Sequence, residues 1–147
     1  MRNAIILGTI VSAVIMASVA QCGAAGAVAI GLPSDVAKQG VSMGDSANDD
    51  TMDKAKSEAI AACKNVGSDI SKALCKVVAT FRNQCAAIAE DPKDGTPGFG
   101  WAVADTLQEA RGQALENCRD SAGPSRRDAC EVSKGVCDGS AKPSQPN

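Results

Sequence analysis

Two stretches of this chain repeat one another at a fixed offset of 55 residues, and that duplication limits its fold more than any other feature. Ala55-Lys-Ser-Glu-Ala59-Ile60-Ala-Ala-Cys63-Lys64 corresponds to Ala110-Arg-Gly-Gln-Ala114-Leu115-Glu-Asn-Cys118-Arg119. Without a gap the match runs on to Cys75 and Cys130, each 12 residues after the preceding cysteine, and to Val77 and Val132. Agreement of this length at one spacing marks an internal duplication, so the fold must be one that can be built twice.

Each copy carries one amphipathic helix. Met52, Ala55, Ala59, Ile60 and Cys63 in the first copy, and Leu107, Ala110, Ala114, Leu115 and Cys118 in the second, form the apolar stripe of a helix buried on one face. Thr106 with Glu109 forms a capping box, and Thr51 with Asp53 opens the first helix. Around the helices, segments 26–30, 40–43 and 76–81, then 85–89, 99–104 and 131–136, read as strands. The turns Leu32-Pro-Ser-Asp35 and Asp91-Pro-Lys-Asp-Gly95 separate strand pairs, and Arg82-Asn83 joins the copies. The expected fold is α+β: two ββαβ repeats, about 26–82 and 83–138, in a mostly antiparallel, disulfide-stapled sheet with both helices on one face. Two internally stacked halves stay open as an arrangement.

The chain is 147 residues long, and its only aromatics are Phe81, Phe99 and Trp101. A core poor in large side chains calls for covalent staples. Seven cysteines supply them, and none forms a C-x-x-C pair, so redox-exchange and zinc-ribbon signatures are missing. Six cysteines allow fifteen connectivities. Spacing favours Cys63 with Cys75 and Cys118 with Cys130, leaving Cys85, which opens the second copy, for Cys137, which ends it, a pairing expected to tie the duplication together. Cys22 is left over, free or available for a dimer.

Met1-Arg2 and the apolar run Ala4–Ala20, followed by Ser18-Val19-Ala20 as a small-x-small cleavage site, read as a secretory signal over residues 1–20. An uncleaved anchor and lipidation at Cys22 are the competing readings. Cleavage removes Arg2 from a chain of net charge −2, leaving the mature chain at −3. That balance gives no electrostatic case for nucleic acid, or for a membrane once the signal is gone. The expected organisation is then a single domain over 21–139 and a disordered tail over 140–147, in a periplasmic or secreted protein.

The absence of His and Tyr excludes Ser-His-Asp and Cys-His catalysis and His-liganded zinc. The acidic run Asp45-Ser-Ala-Asn-Asp49-Asp50-Thr-Met-Asp53 fails as an EF-hand, with Ala47 where a ligand belongs and Lys56 at the twelfth position, and reads as a polar loop and helix N-terminus. Phe99, Trp101 and Val103 alternate on one side of a strand and read as core rather than a stacking platform. Gly95-Thr-Pro-Gly98-Phe-Gly100 lacks the Lys-Ser/Thr of a phosphate loop and reads as a hairpin turn.

Taken together, the Cys75–Ala89 segment CKVVATFRNQCAAIA, the Ala-rich helices ending in Cys63 and Cys118, Gly98-Phe-Gly-Trp101 and Cys130-x-Val132 with Cys137 resemble a family of exported bacterial domains, Domain of Unknown Function 4189. The resemblance spans about residues 26–138. It implies an exported, disulfide-bonded domain and brings no catalytic residues with it.

The expected function is therefore non-enzymatic binding, without cofactor or metal, of an unidentified protein partner, in the manner of an inhibitor or immunity protein. The alternatives are a small-ligand carrier, which needs an apolar pocket beside Trp101, and a carboxylate-based hydrolase, which needs acids converging from both copies. Asn65–Lys72 is nearly neutral, whereas Asp120–Asp128 carries adjacent arginines. The Cys118–Cys130 loop is thus the expected recognition edge, with Arg126 and Arg127 as partner contacts.

Overall fold

The computed structural model describes residues 24–141; the expected signal at 1–20, Cys22 and the tail beyond Ala141 lie outside them. In chain order the elements are β1 (Ala25–Gly31), α1 (Val36–Gln39), β2 (Ser42–Asp49), α2 (Met52–Lys64), α3 (Asp69–Ala73), β3 (Lys76–Phe81), β4 (Cys85–Glu90), β5 (Phe99–Ala104), α4 (Leu107–Ala122), a 3-10 turn at Arg127–Ala129 and β6 (Glu131–Cys137). Each copy is a ββαβ unit forming its own antiparallel three-stranded sheet, ordered β2-β1-β3 and β5-β4-β6. The duplication reaches fine detail. Pairing slips between Val28 and Ala29 against β3 and between Ile88 and Ala89 against β6. The residues skipped, Val78 and Ser133, are themselves 55 apart, so both copies carry the same bulge.

Strand alternation sorts the side chains by size. From β1, Ala25, Ala27 and Ala29 face α2 and meet Ala55, Ala59 and Cys63. From β4, Cys85, Ala87 and Ala89 face α4 and meet Ala110, Ala114 and Cys118. These layers are built of small residues because the helices lie almost on the strand backbone. An added Cβ at Gly44 would stand 2.2 Å from Cys63 N and 2.4 Å from Ala59 O, and one at Gly100 2.3 Å from Cys118 N and 2.4 Å from Ala114 O. Both helices start under a threonine cap, Thr51 Oγ1 accepting from Lys54 N and Thr106 Oγ1 from Glu109 N, each at 3.2 Å.

Val28, Ile30, Phe81 and Ala86, with Phe99, Trp101, Val103 and Val136 packed against them, fill a third core between the two sheets. The α+β class, the repeats and the antiparallel pairing hold, but the single sheet with both helices on one face is corrected to two sheets stacked back to back, a helix on each outer face. One six-stranded sheet covered on one side would leave Val28, Ile30 and Trp101 facing water, and stacking the halves buries that face.

Disulfides join Cys63 to Cys75, Cys118 to Cys130 and Cys85 to Cys137. The last pair does not tie the two copies together. Cys85 and Cys137 are directly opposed on β4 and β6, so that bridge closes the second sheet on itself. The apolar core between the sheets does the joining, together with a set of polar contacts. Lys134 Nζ on β6 meets Asp45 Oδ1 on β2 at 2.6 Å. The fully buried Asp138 accepts from Asn48 N at 2.8 Å and from Asn83 N at 3.3 Å. Asn48 and Asn83 both adopt positive φ, a conformation asparagine tolerates better than most residues. The start of the expected tail is held at this hub, because Ser140 N donates to Asn83 Oδ1 and Ala141 N to the Asp138 carbonyl.

The segment Asp45–Asp49, expected as a loop, belongs to β2. Its acids can lie in a strand because each finds a partner: Asp45 has Lys134, and Asp49 has Ser46 Oγ and Lys54. The remaining differences are α1 and α3, one-turn helices set within expected connections and capped by Asp35 and Ser68.

Candidate recognition surface

The ends of β1 and β4 lie at the pole of the sandwich away from the Asp138 hub, and there the connections of both copies meet. From the first copy come Leu32–Val41, which includes α1, and the α2–α3 link; from the second comes the β4–β5 hairpin, Asp91–Gly98. Between them lies a cleft of about 430 Å³, walled by α1 and Gly67 on one side and by Glu90, Lys93, Asp94 and Thr96 on the other. A second hollow of about 440 Å³, lined by Leu32, Ser34, Pro97 and Ser121, shares Val36, Ala37 and Phe99 with the first.

Each wall is braced from inside. In the first copy Ser42 Oγ donates to Val66 O and lies 2.8 Å from Ser71 Oγ, while Ser68 Oγ donates to Gln39 O at 2.6 Å. This small hydroxyl cluster roots α1, α3 and the link to α2 in one place. In the second copy Asp91 N donates to Gly98 O, closing the hairpin, and the Asp91 carboxylate takes Arg126 in a two-point grip, Nε to Oδ2 at 2.7 Å and Nη2 to Oδ1 at 2.5 Å. The Asp91 side chain is wholly covered. The Arg126 guanidinium holds its carboxyl down at about 2, against burial pulling the other way, and Asp91 in turn raises Arg126.

Arg126, expected to grip a partner, therefore has its guanidinium committed to Asp91, where it pins the Cys118–Cys130 loop to the hairpin. Arg127 stays at the surface and pairs with Asp120 at 3.6 Å. Sequence reasoning placed Asp91 in a turn and gave it no partner, because the two residues are 35 apart and nothing local links them. Trp101 lies half-buried against the core between the sheets and does not line the cleft; Phe99 does. The acids of the cleft, Glu90, Asp91 and Asp94, all belong to the second copy's hairpin. Among the described residues no group of three or more Cys, Asp or Glu is placed to hold a metal ion, and no helix is long and apolar enough to cross a membrane.

The Arg126–Asp91 pair makes stability depend on pH in a defined window. Because the folded carboxyl titrates near 2 and the unfolded one near its ordinary value of 3.8, the unfolded chain binds more protons between those limits. The pair's contribution is complete above about pH 4 and is lost as pH falls towards 2. Thermal unfolding from pH 7 to 2 is expected to show a shallower acid decline for Asp91→Asn than for wild type. Parallel curves would refute this.

No curated protein and no solved structure shows significant similarity to the chain. A family model described as a domain of unknown function, DUF4189, matches residues 25–137, the span from the first residue of β1 to the last of β6, and the chain belongs to that family.

Proposed function

We propose that this is an exported binding module, without catalytic activity of its own, that recognises another protein in the cell envelope or outside the cell as an inhibitor or immunity-type protector. The observation carrying this reading is the loop-lined cleft itself. Connections from both copies converge on it, and each is fixed to the scaffold by a disulfide, a buried hydroxyl cluster or the Asp91–Arg126 grip. Rigid scaffolds that present convergent loops lose little entropy on binding. The cleft and its neighbouring hollow lie side by side along α1, a shape suited to an extended segment of a partner. Three disulfides accord with export, as does the signal-like N-terminus.

Affinity capture from envelope and culture-supernatant extracts tests this. The mature chain is expected to retain a specific protein. Ala37→Trp, which places bulk between the two hollows, is expected to lose it, and Arg127→Ala reports on the Cys118–Cys130 edge. Repeated captures that retain nothing would overturn the binding reading.

A further inference from the structure

The duplication provides an internal control for surface features, because both copies solve the same folding problem. Among the described residues the large hydrophobic side chains that stand out in water are Leu32, Val66, Ile70 and Leu74, between 45% and 54% exposed, and all four belong to the first copy. They are neighbours. Ile70 and Leu74 sit one turn apart on and just after α3, and Val66 leads into that helix with its carbonyl bonded to Ser42, which also touches Ser71. Gly31, just before Leu32, abuts the backbone of Ser71 and Cys75.

At the positions 55 further on, Val66, Ile70 and Leu74 become Ser121, Ser125 and Ala129. The second copy folds with small residues there, so folding does not demand exposed apolar bulk in the first. The charges diverge in the same place. Lys64 ends α2, just before the link that carries Val66, and Lys72 lies on α3. Among the described residues neither of these two lysines enters an ion pair, and Asp69 is the one acid on α3. Their counterparts are neutralised: Arg119 pairs with Glu116, and Arg127 pairs with Asp120.

We propose that the α3 face of the first copy, Val66, Ile70 and Leu74 with Leu32 at its border and Lys64 and Lys72 beside it, docks a protein segment that carries large apolar side chains flanked by acidic groups. An apolar centre inside a rim of one charge sign is the complement of such a segment. The cleft favours a polypeptide over an anionic bilayer. Gly67, between Val66 and α3, lines it, so the surface continues into a concavity that a flat membrane cannot fill. This proposal rests on the binding-module reading and names its surface and the chemistry of its partner.

The test uses the full mature chain with its disulfides intact and a displayed library of random twelve-residue peptides. Wild type is expected to enrich peptides that combine acidic with large apolar residues. Val66→Ser/Ile70→Ser/Leu74→Ala, which installs the second copy's residues, is expected to bind a chosen enriched peptide at least ten-fold more weakly. Lys64→Gln/Lys72→Gln is expected to flatten the salt dependence of binding. Circular dichroism and intact mass establish that both variants fold with three bridges. Equal binding by the triple apolar variant would overturn the surface while leaving a binding module. Failure to enrich any peptide, enrichment without the acidic and apolar bias, or patch-dependent sedimentation with phosphatidylglycerol vesicles would overturn the partner's chemistry. Failure of the extract capture separately removes the binding reading beneath it.

Discussion

Gly100→Ala is expected to destabilise the protein by about 3 kcal/mol or more, and Gly44→Ala by a similar amount, which lowers the thermal midpoint by roughly 10 °C or more in a domain of this size. One methyl group can do this because of where it points. A Cβ on Gly100 would lie 2.3 Å from Cys118 N and 2.4 Å from Ala114 O, backbone atoms that cannot swing aside as a side chain would. The strand or α4 would have to move, breaking the contact of Ala110, Ala114 and Cys118 with β4. Gly112→Ala is the control. Gly112 lies on α4 with open space around its Cβ position, and alanine there should stabilise the helix by up to about 1 kcal/mol. If calorimetry finds Gly100→Ala and Gly112→Ala alike, close packing of strand on helix is not what holds the layer together.

The second large effect concerns the bridge that closes the second sheet. Cys85 and Cys137 are separated by 52 residues, whereas each of the other pairs is separated by 12. In the chain-entropy model the longer loop contributes about 4 kcal/mol and each shorter one about 3 kcal/mol. Cys85→Ser/Cys137→Ser is therefore expected to be the most damaging of the three double substitutions. Its position adds to this. Cys85 is fully buried opposite Ala104, and Cys137 adjoins Asp138, whose carboxylate joins the copies. Urea unfolding of the three double variants ranks them. A Cys63→Ser/Cys75→Ser variant less stable than Cys85→Ser/Cys137→Ser would contradict the ranking.

Much of this architecture was legible because it is written in local patterns. The helical stripes, the threonine caps and the strand alternation depend on residues a few positions apart, and the 55-residue offset exposes the repeat without any tertiary information. What stayed hidden depends on which groups meet across the fold. Whether two ββαβ units merge into one sheet or stack as two is decided by the demand to bury Val28, Ile30 and Trp101, and the strands look the same in either case. Asp45 reads as a loop acid until Lys134 is placed beside it. Arg126 reads as a free cation until Asp91 is known to lie beneath it. The α3 surface was passed over for a related reason. Counting charge along Asn65–Lys72 averages Lys72 against Asp69 and leaves out Lys64, which ends α2 just before that window.

The central structural claim is that the chain consists of two self-contained ββαβ units, each closed only by its own covalent links, which adhere through a non-covalent core. Peptide mapping of the purified protein, digested without reduction and with free thiols blocked, tests this most directly. The predicted result is three linked peptide pairs, Cys63 with Cys75, Cys118 with Cys130 and Cys85 with Cys137. A bridge that crosses between the copies, such as Cys63 with Cys118 or Cys75 with Cys85, would contradict it.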